Sequence, residues 1–184
     1  MSISNTLFRF ALAFSFFSFS FALLAEPTLE EVVVSARKVD ESVQDVPIAM
    51  SVFTSSDISD AGIERPEDFI ALTPNVVMAN TVNVGDTLVT IRGLTSTRDA
   101  ESNFAFVVDG VLQTNPNAFN RELLDIAQIE VLKGPQGALY GRNATSGAIL
   151  ITTKAPSEES ESTAVIGMGV NNASKLQYVN SGKI

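Results

Sequence analysis

Ile129-Glu130-Val131-Leu132-Lys133-Gly134-Pro135-Gln136-Gly137-Ala138-Leu139-Tyr140-Gly141-Arg142-Asn143-Ala144-Thr145-Ser146-Gly147-Ala148-Ile149-Leu150-Ile151-Thr152-Thr153 is the stretch on which the fold turns. Ile129–Lys133 reads as a short strand. Ala148–Thr153 is almost continuously apolar, which predicts a strand buried on both faces. Between them, Gly134, Gly137, Gly141 and Gly147 let a short helix turn tightly from one strand to the next. A glycine-rich turn can also cradle phosphate. That reading fails here, because a Walker loop needs Lys followed by Ser or Thr and no lysine of the chain is so followed.

Moving upstream, Ile48–Thr54 alternates as a strand does, with Ile48, Met50 and Val52 on one face. Ser55 or Ser56 is placed to cap a short helix that Gly62 stops, with Asp57 and Asp60 near its start. Pro66 opens a second helix, expected to bury Phe69, Ile70 and Leu72 and to end before Pro74. Thr87–Arg92 alternates again, putting Val89 and Ile91 on the buried side. Phe104–Val108 runs into Asp109-Gly110, a hairpin signal, with Val111-Leu112 returning. Thr95–Asn103 and Gln113–Arg121 are polar and read as exposed loops, and Leu123–Gln128 as one helical turn. Mixed strands and helices of this kind predict an α+β domain with a small mixed sheet.

The two ends differ from this middle. Seven of the twelve phenylalanines lie within Phe8–Phe21, in an apolar run that follows Arg9 and ends in small residues. The pattern predicts a secretory signal peptide over residues 1–25, the rival being a tilted membrane anchor. Glu26–Asp45 is mostly polar and charged and contains one β-branched island, Val32-Val33-Val34. It reads either as an extended tail exposing a strand-former or as an edge strand folded back on its own domain. After Pro156 comes an acidic, serine-rich linker, Ser157–Ser162. Thr163–Asn171 then alternates, with Ala164, Ile166, Met168 and Val170 on one side and only Val165 interrupting the polar side. Such a strand suits a transmembrane barrel, which needs ~9–11 residues per crossing, or a half-buried position in a soluble protein.

Composition excludes much. The chain carries a net charge of −9, and setting aside residues 1–25, whose one charged residue is Arg9, makes it −10. Nucleic acid and anionic lipid surfaces repel such a protein. With no cysteine and no histidine, disulfides, the usual zinc, haem and iron–sulfur sites, and Ser-His or Cys-His nucleophiles are all ruled out. No metal site, cofactor or enzymatic constellation is expected.

The opening stretch resembles the C-terminal plug signature of TonB-dependent outer-membrane receptors. Three further blocks occur in the same order as in that family. Glu30-Glu31-Val32-Val33-Val34-Ser35-Ala36 is similar to a TonB box, Ile91-Arg92-Gly93 to the mid-plug signature, and Val107-Val108-Asp109-Gly110-Val111 to the hairpin after it. The resemblance spans about residues 30–156. It implies a layout of signal peptide (1–25), flexible segment with TonB box (26–46), plug domain (47–156), then linker and first barrel strands (157–184).

The resemblance further implies that the plug fills an outer-membrane barrel and gates uptake of a large scarce ligand, most often an iron–siderophore complex. Glu31, Val32, Val33, Val34, Ser35 and Ala36 would be the segment to which periplasmic TonB adds a strand. Arg92 and Lys133 would face barrel glutamates, the lysine as a point charge rather than a fork. Arg98, Asn115 and Arg121 would be the ligand-facing candidates of the two loops. One clear strand, and part of another around Leu176–Val179, cannot close a barrel, which needs at least ~8 strands. The chain is therefore expected to be a truncated front portion; the alternative is a soluble periplasmic plug-like module without a barrel.

Overall fold

The computed structural model describes residues 31–80, 87–97, 101–170 and 174–182. The leader expected over residues 1–25 and the candidate Arg98 lie outside them. At the centre stands a five-stranded mixed sheet made of β3 (Met50–Thr54), β7 (Phe104–Val108), β8 (Val111–Leu112), β9 (Ile126–Lys133) and β10 (Gly147–Thr153). Its order is β3-β9-β10-β7-β8, and only the β10–β7 pair is parallel. β10 is central, as its apolar run predicts, and Gly147–Ile151 are all buried. Gly147 is required there: a Cβ would overlap the Leu132 carbonyl oxygen on β9.

Alternation along each strand divides the core into two layers. Phe104, Phe106, Ile129, Val131, Ile149 and Ile151 face one side, where α1 (Ser55–Asp60) and α2 (Pro66–Ala71) contribute Ile58, Phe69 and Ile70. A three-stranded sheet, β4 (Val76–Asn80), β5 (Thr87–Ile91) and β6 (Leu94–Thr95), adds Val76, Val89 and Ile91 to that layer. Ala105, Val107, Leu132, Ala148 and Leu150 face the other side, where the N-terminal segment brings Val34, Ala36 and Val46.

Local chemistry sets the element ends. The cap of α1 is Thr54 rather than Ser55 or Ser56: Asp57 Oδ2 accepts from the Thr54 amide at 2.8 Å, closing a capping box. These bonds hold the Asp57 carboxyl below its ordinary range. Pro66 starts α2 as predicted, and Asp68 Oδ2 accepts from the Glu64 and Arg65 amides at 2.9 and 2.8 Å. β7 and β8 are joined by Asp109-Gly110 with φ of +47° and +78°, the two-residue turn that matches strand twist.

Three expectations change, and one strand was not anticipated. Leu72 follows α2 as its C-cap and is half exposed, not buried. Leu123–Gln128 is no helical turn, because β9 already begins at Ile126, right after Asp125 at φ +54°. Val76–Asn80, which carries no clear period, is the strand β4. The loop Gln113–Arg121 is not wholly exposed: Phe119 is buried, with ring centroids 5.1 Å from Phe104, 5.1 Å from Phe106 and 6.4 Å from Phe69.

The C-terminal hairpin, β11 (Glu161–Met168) and β12 (Ser174–Ser181), pairs over its full length, with Ala164 opposite Tyr178 and Ile166 opposite Leu176. One face is bare: Ile166, Met168, Leu176 and Tyr178 are 73, 92, 76 and 65% exposed. The other face looks onto the domain. Val165 lines a cleft there with Ile58 and Ile63, which explains the one apolar residue on the polar side. Lys175 Nζ bridges Glu64 at 3.0 Å and Glu122 at 2.7 Å across it.

Candidate functional site

Val33-Val34 is the one β-branched pair ahead of the domain that forms a described strand, β1, and the folded-back arrangement is the one found. It pairs antiparallel with β2 (Glu41–Ser42), Val33 opposite Ser42 and Val34 opposite Glu41. Val34 and Ala36 are 1 and 0% exposed, Val33 and Glu31 are exposed, and Val32 and Ser35 are half-buried. The segment is thus packed against the sheet, not an extended tail.

Three side chains grip its backbone. Gln128 Nε2 donates to the Val33 carbonyl at 3.0 Å. Glu130 Oε1 accepts from the Ser35 amide at 3.1 Å and from its hydroxyl at 3.3 Å. Tyr140, on α3 (Gly137–Tyr140), donates its hydroxyl to the Ala36 carbonyl at 2.8 Å. Glu130 is only 2% exposed and its Oε2 has no partner. Burial pushes its carboxyl above the ordinary range, against the pull of the Ser35 bonds and with help from the Asp40 charge. Burial, with the Glu130 charge, likewise pushes the Tyr140 phenol up to about 12, so it remains a hydrogen-bond donor. Sequence reasoning passes over Gln128, Glu130 and Tyr140. The available signal was Glu130 itself, a charge inside the otherwise apolar run Ile129–Leu132.

The structure also brings Arg92 and Lys133 together. Arg92 sits in the β5–β6 turn at φ +50°, a conformation uncommon outside glycine. Its Nη1 lies 3.2 Å from where a Cβ on Gly134 would be, so the missing side chain leaves room for the guanidinium. Lys133 Nζ donates to Ser51 Oγ at 3.0 Å, and burial plus the Arg92 charge hold its ammonium below the usual lysine range. Among the described residues neither cation has a carboxylate partner.

The loop candidates are dispersed. Asn115 spends its side chain locally, its Oδ1 accepting from the Asn117 amide at 3.0 Å to cap the short turn Pro116–Ala118. Arg121 is exposed beside the buried Phe119. At the base of the other loop, Ser96 Oγ and Ser146 Oγ both donate to Asn103 Oδ1, at 2.7 and 3.1 Å, and Arg142 pairs with Glu101 at 3.2 Å.

This geometry has known relatives. The TonB-dependent Receptor Plug Domain family matches residues 42–148. The pesticin receptor of Yersinia enterocolitica is 31% identical over 132 residues, covering 71% of this chain and 19% of its own. The vitamin B12 transporter BtuB of Vibrio vulnificus is 28% identical over 163 residues, covering 85% and 26%. Among solved structures, the ferric yersiniabactin uptake receptor FyuA from Yersinia pestis superposes with a TM-score of 0.65 at 28% identity, over 74% of this chain and 22% of that one. The ferripyoverdine receptor of Pseudomonas aeruginosa, at 19% identity, shares the fold with a TM-score of 0.69 over 83% and 20%. The chain thus spans about a fifth of the pesticin receptor's length. These relatives are receptors and transporters rather than enzymes. With its mixed sheet, its ordered signatures and a family match over most of the domain, the chain belongs to the TonB-dependent receptor plug family.

Proposed function

We propose that this chain is the front portion of an outer-membrane receptor that takes up an iron–siderophore complex, and that Glu31–Ala36 is its TonB box. The observation that carries this reading is strand β1, a β-branched pair at the head of the plug that already adopts the extended conformation a strand-adding partner needs. In this reading residues 1–25 direct export, residues 26–46 carry the box, residues 47–156 plug the barrel, and β11–β12 begin the barrel. The bare apolar face of that hairpin, Ile166, Met168, Leu176 and Tyr178, suits contact with lipid. Arg92 and Lys133 together would meet carboxylates of the barrel wall. Arg121, and Arg98 and Asn115 with it, would stand near the ligand entry. Iron–siderophore cargo rests on relatives 28 and 27% identical that are named for ferric yersiniabactin and for a catecholate siderophore, and vitamin B12, named by a transporter 28% identical, is the rival cargo.

Strand addition uses backbone hydrogen bonds, so it tolerates many side chains but not proline. In the full-length receptor, Val33→Pro is expected to abolish cross-linking to the C-terminal domain of TonB while ligand binding at the cell surface is unchanged. Equal cross-linking in the variant would remove the assignment.

A further inference from the structure

Strand β1 has both edges occupied, and the two edges are occupied differently. On one edge its partner is backbone: the Val43 amide donates to the Val32 carbonyl at 3.0 Å, and β2 continues the ladder. In a strand, alternate residues turn their peptide groups to opposite edges. The Val33 carbonyl and the Ser35 amide therefore point away from β2. These are the groups taken by Gln128 and Glu130. One turn further, Tyr140 takes the Ala36 carbonyl. We infer that Gln128, Glu130 and Tyr140 form a side-chain latch that stands in for a strand on the free edge of β1, and that a strand-adding partner gains this edge only by displacing them.

The proposal rests on the reading of Glu31–Ala36 as the transduction segment and adds which edge is used and what guards it. Three facts make this edge the one that opens. The β1–β2 pair is local, closed by the Lys38 amide donating to the Ser35 carbonyl at 2.8 Å, so it can leave the sheet as a unit. The latch residues, by contrast, sit 95 to 104 positions away along the chain, on β9 and α3. Glu130 is held at a disadvantage, with one carboxylate oxygen on Ser35 and the other buried without a partner. Lifting the segment returns that oxygen to water, which offsets part of the loss of three side-chain contacts. The latch is accordingly strong enough to order the segment and weak enough to be replaced by a continuous ladder.

The chain contains no cysteine, so Val34→Cys places a thiol that is buried while the latch is shut. In the full-length protein, its rate of reaction with a polar maleimide reports how often the segment lifts. Tyr140→Phe keeps the ring and removes only the hydroxyl. Gln128→Ala removes the amide at a half-buried position. Each is expected to speed labelling about 2- to 10-fold, the range one net hydrogen bond commands, and together more than either alone. Hydrogen exchange at the Ser35 amide, read without the cysteine, should accelerate in parallel. Unchanged labelling and exchange in both variants overturn the latch. Cross-linking of the same cysteine to the TonB C-terminal domain separates the two ideas. Faster labelling with no cross-link in any variant supports the latch and removes the transduction role. Cross-linking with labelling and exchange unchanged keeps that role and overturns the latch.

Discussion

The two faces of the central sheet are built from the same strands yet closed in opposite ways. On the α1–α2 face, Phe69, Phe104, Phe106 and Phe119 meet edge to face among Ile129, Ile149 and Ile151. On the other, Ala105, Ala144 and Ala148 leave a shallow surface on which Val34 and Ala36 rest, with the Glu130 carboxyl beneath them. Large interlocking side chains make a layer that cannot be lifted without opening a large void. Small ones let an irregular segment lie close and come away with little area exposed. On the latch proposal, the first face is the permanent one and the second the one that releases.

The largest test of that contrast is a truncation on each face. Phe69→Ala is expected to lower the unfolding free energy in urea by about 3–5 kcal/mol. Val34→Ala, also fully buried, should lower it by roughly 2 kcal/mol at most, since it removes two methyl groups from a shallow site. Equal losses would break the comparison.

A middle-sized effect is expected where the permanent layer meets the strand ladder. At Gly147 a Cβ would overlap the Leu132 carbonyl and approach Ile91 Cδ1 to 3.2 Å. Backbone cannot yield as a side-chain tip can. Gly147→Ala should therefore destabilise the domain by about 1–3 kcal/mol, read as a lower urea midpoint with unchanged slope. A neutral result would show that β9 and β10 can shift apart, and hence that this layer is less rigid than its aromatic packing implies.

Sequence made the permanent layer easier to read than the releasable one. Strand alternation at Val89 and Ile91, the Pro66 start of α2, and the Asp109-Gly110 turn each follow from a local rule, and each recurs in the fold. Phe119 was hidden because a single aromatic in a polar loop has no period. Burial there depends on Phe69 and Phe104, distant in sequence. The start of β9, Ile126–Gln128, was lost for a related reason, three residues being too few to set helix against strand. The latch was hardest, since its bonds join side chains of β9 and α3 to peptide groups some hundred residues earlier. Only the charge of Glu130 within Ile129–Leu132 hinted that something polar must lie over that strand. Arg92 and Lys133 were reachable through motif resemblance, but their proximity came from folding.

The smallest expected effect is also the one that fixes the sign of the latch. Burial raises the Glu130 carboxyl above its ordinary range when the segment is docked, while lifting returns it to water. The charge that acts on it is that of Asp40, which adds to the rise; its ladder neighbours Val52 and Leu150 carry none. The docked form thus holds a proton more tightly than the lifted form. Docking should be firmest below the ordinary carboxylate range, weaken as pH rises through the raised docked value, and stay constant beyond it. Glu130→Gln has no such titration, so the ratio of Val34→Cys labelling in the native background to that in Glu130→Gln cancels the ionisation of the thiol itself. That ratio should climb with pH and then level off. A ratio that fell with rising pH would mean the Ser35 bonds outweigh desolvation. Glu130 would then fasten the segment as a committed ion, and the releasable face would be as permanent as the other.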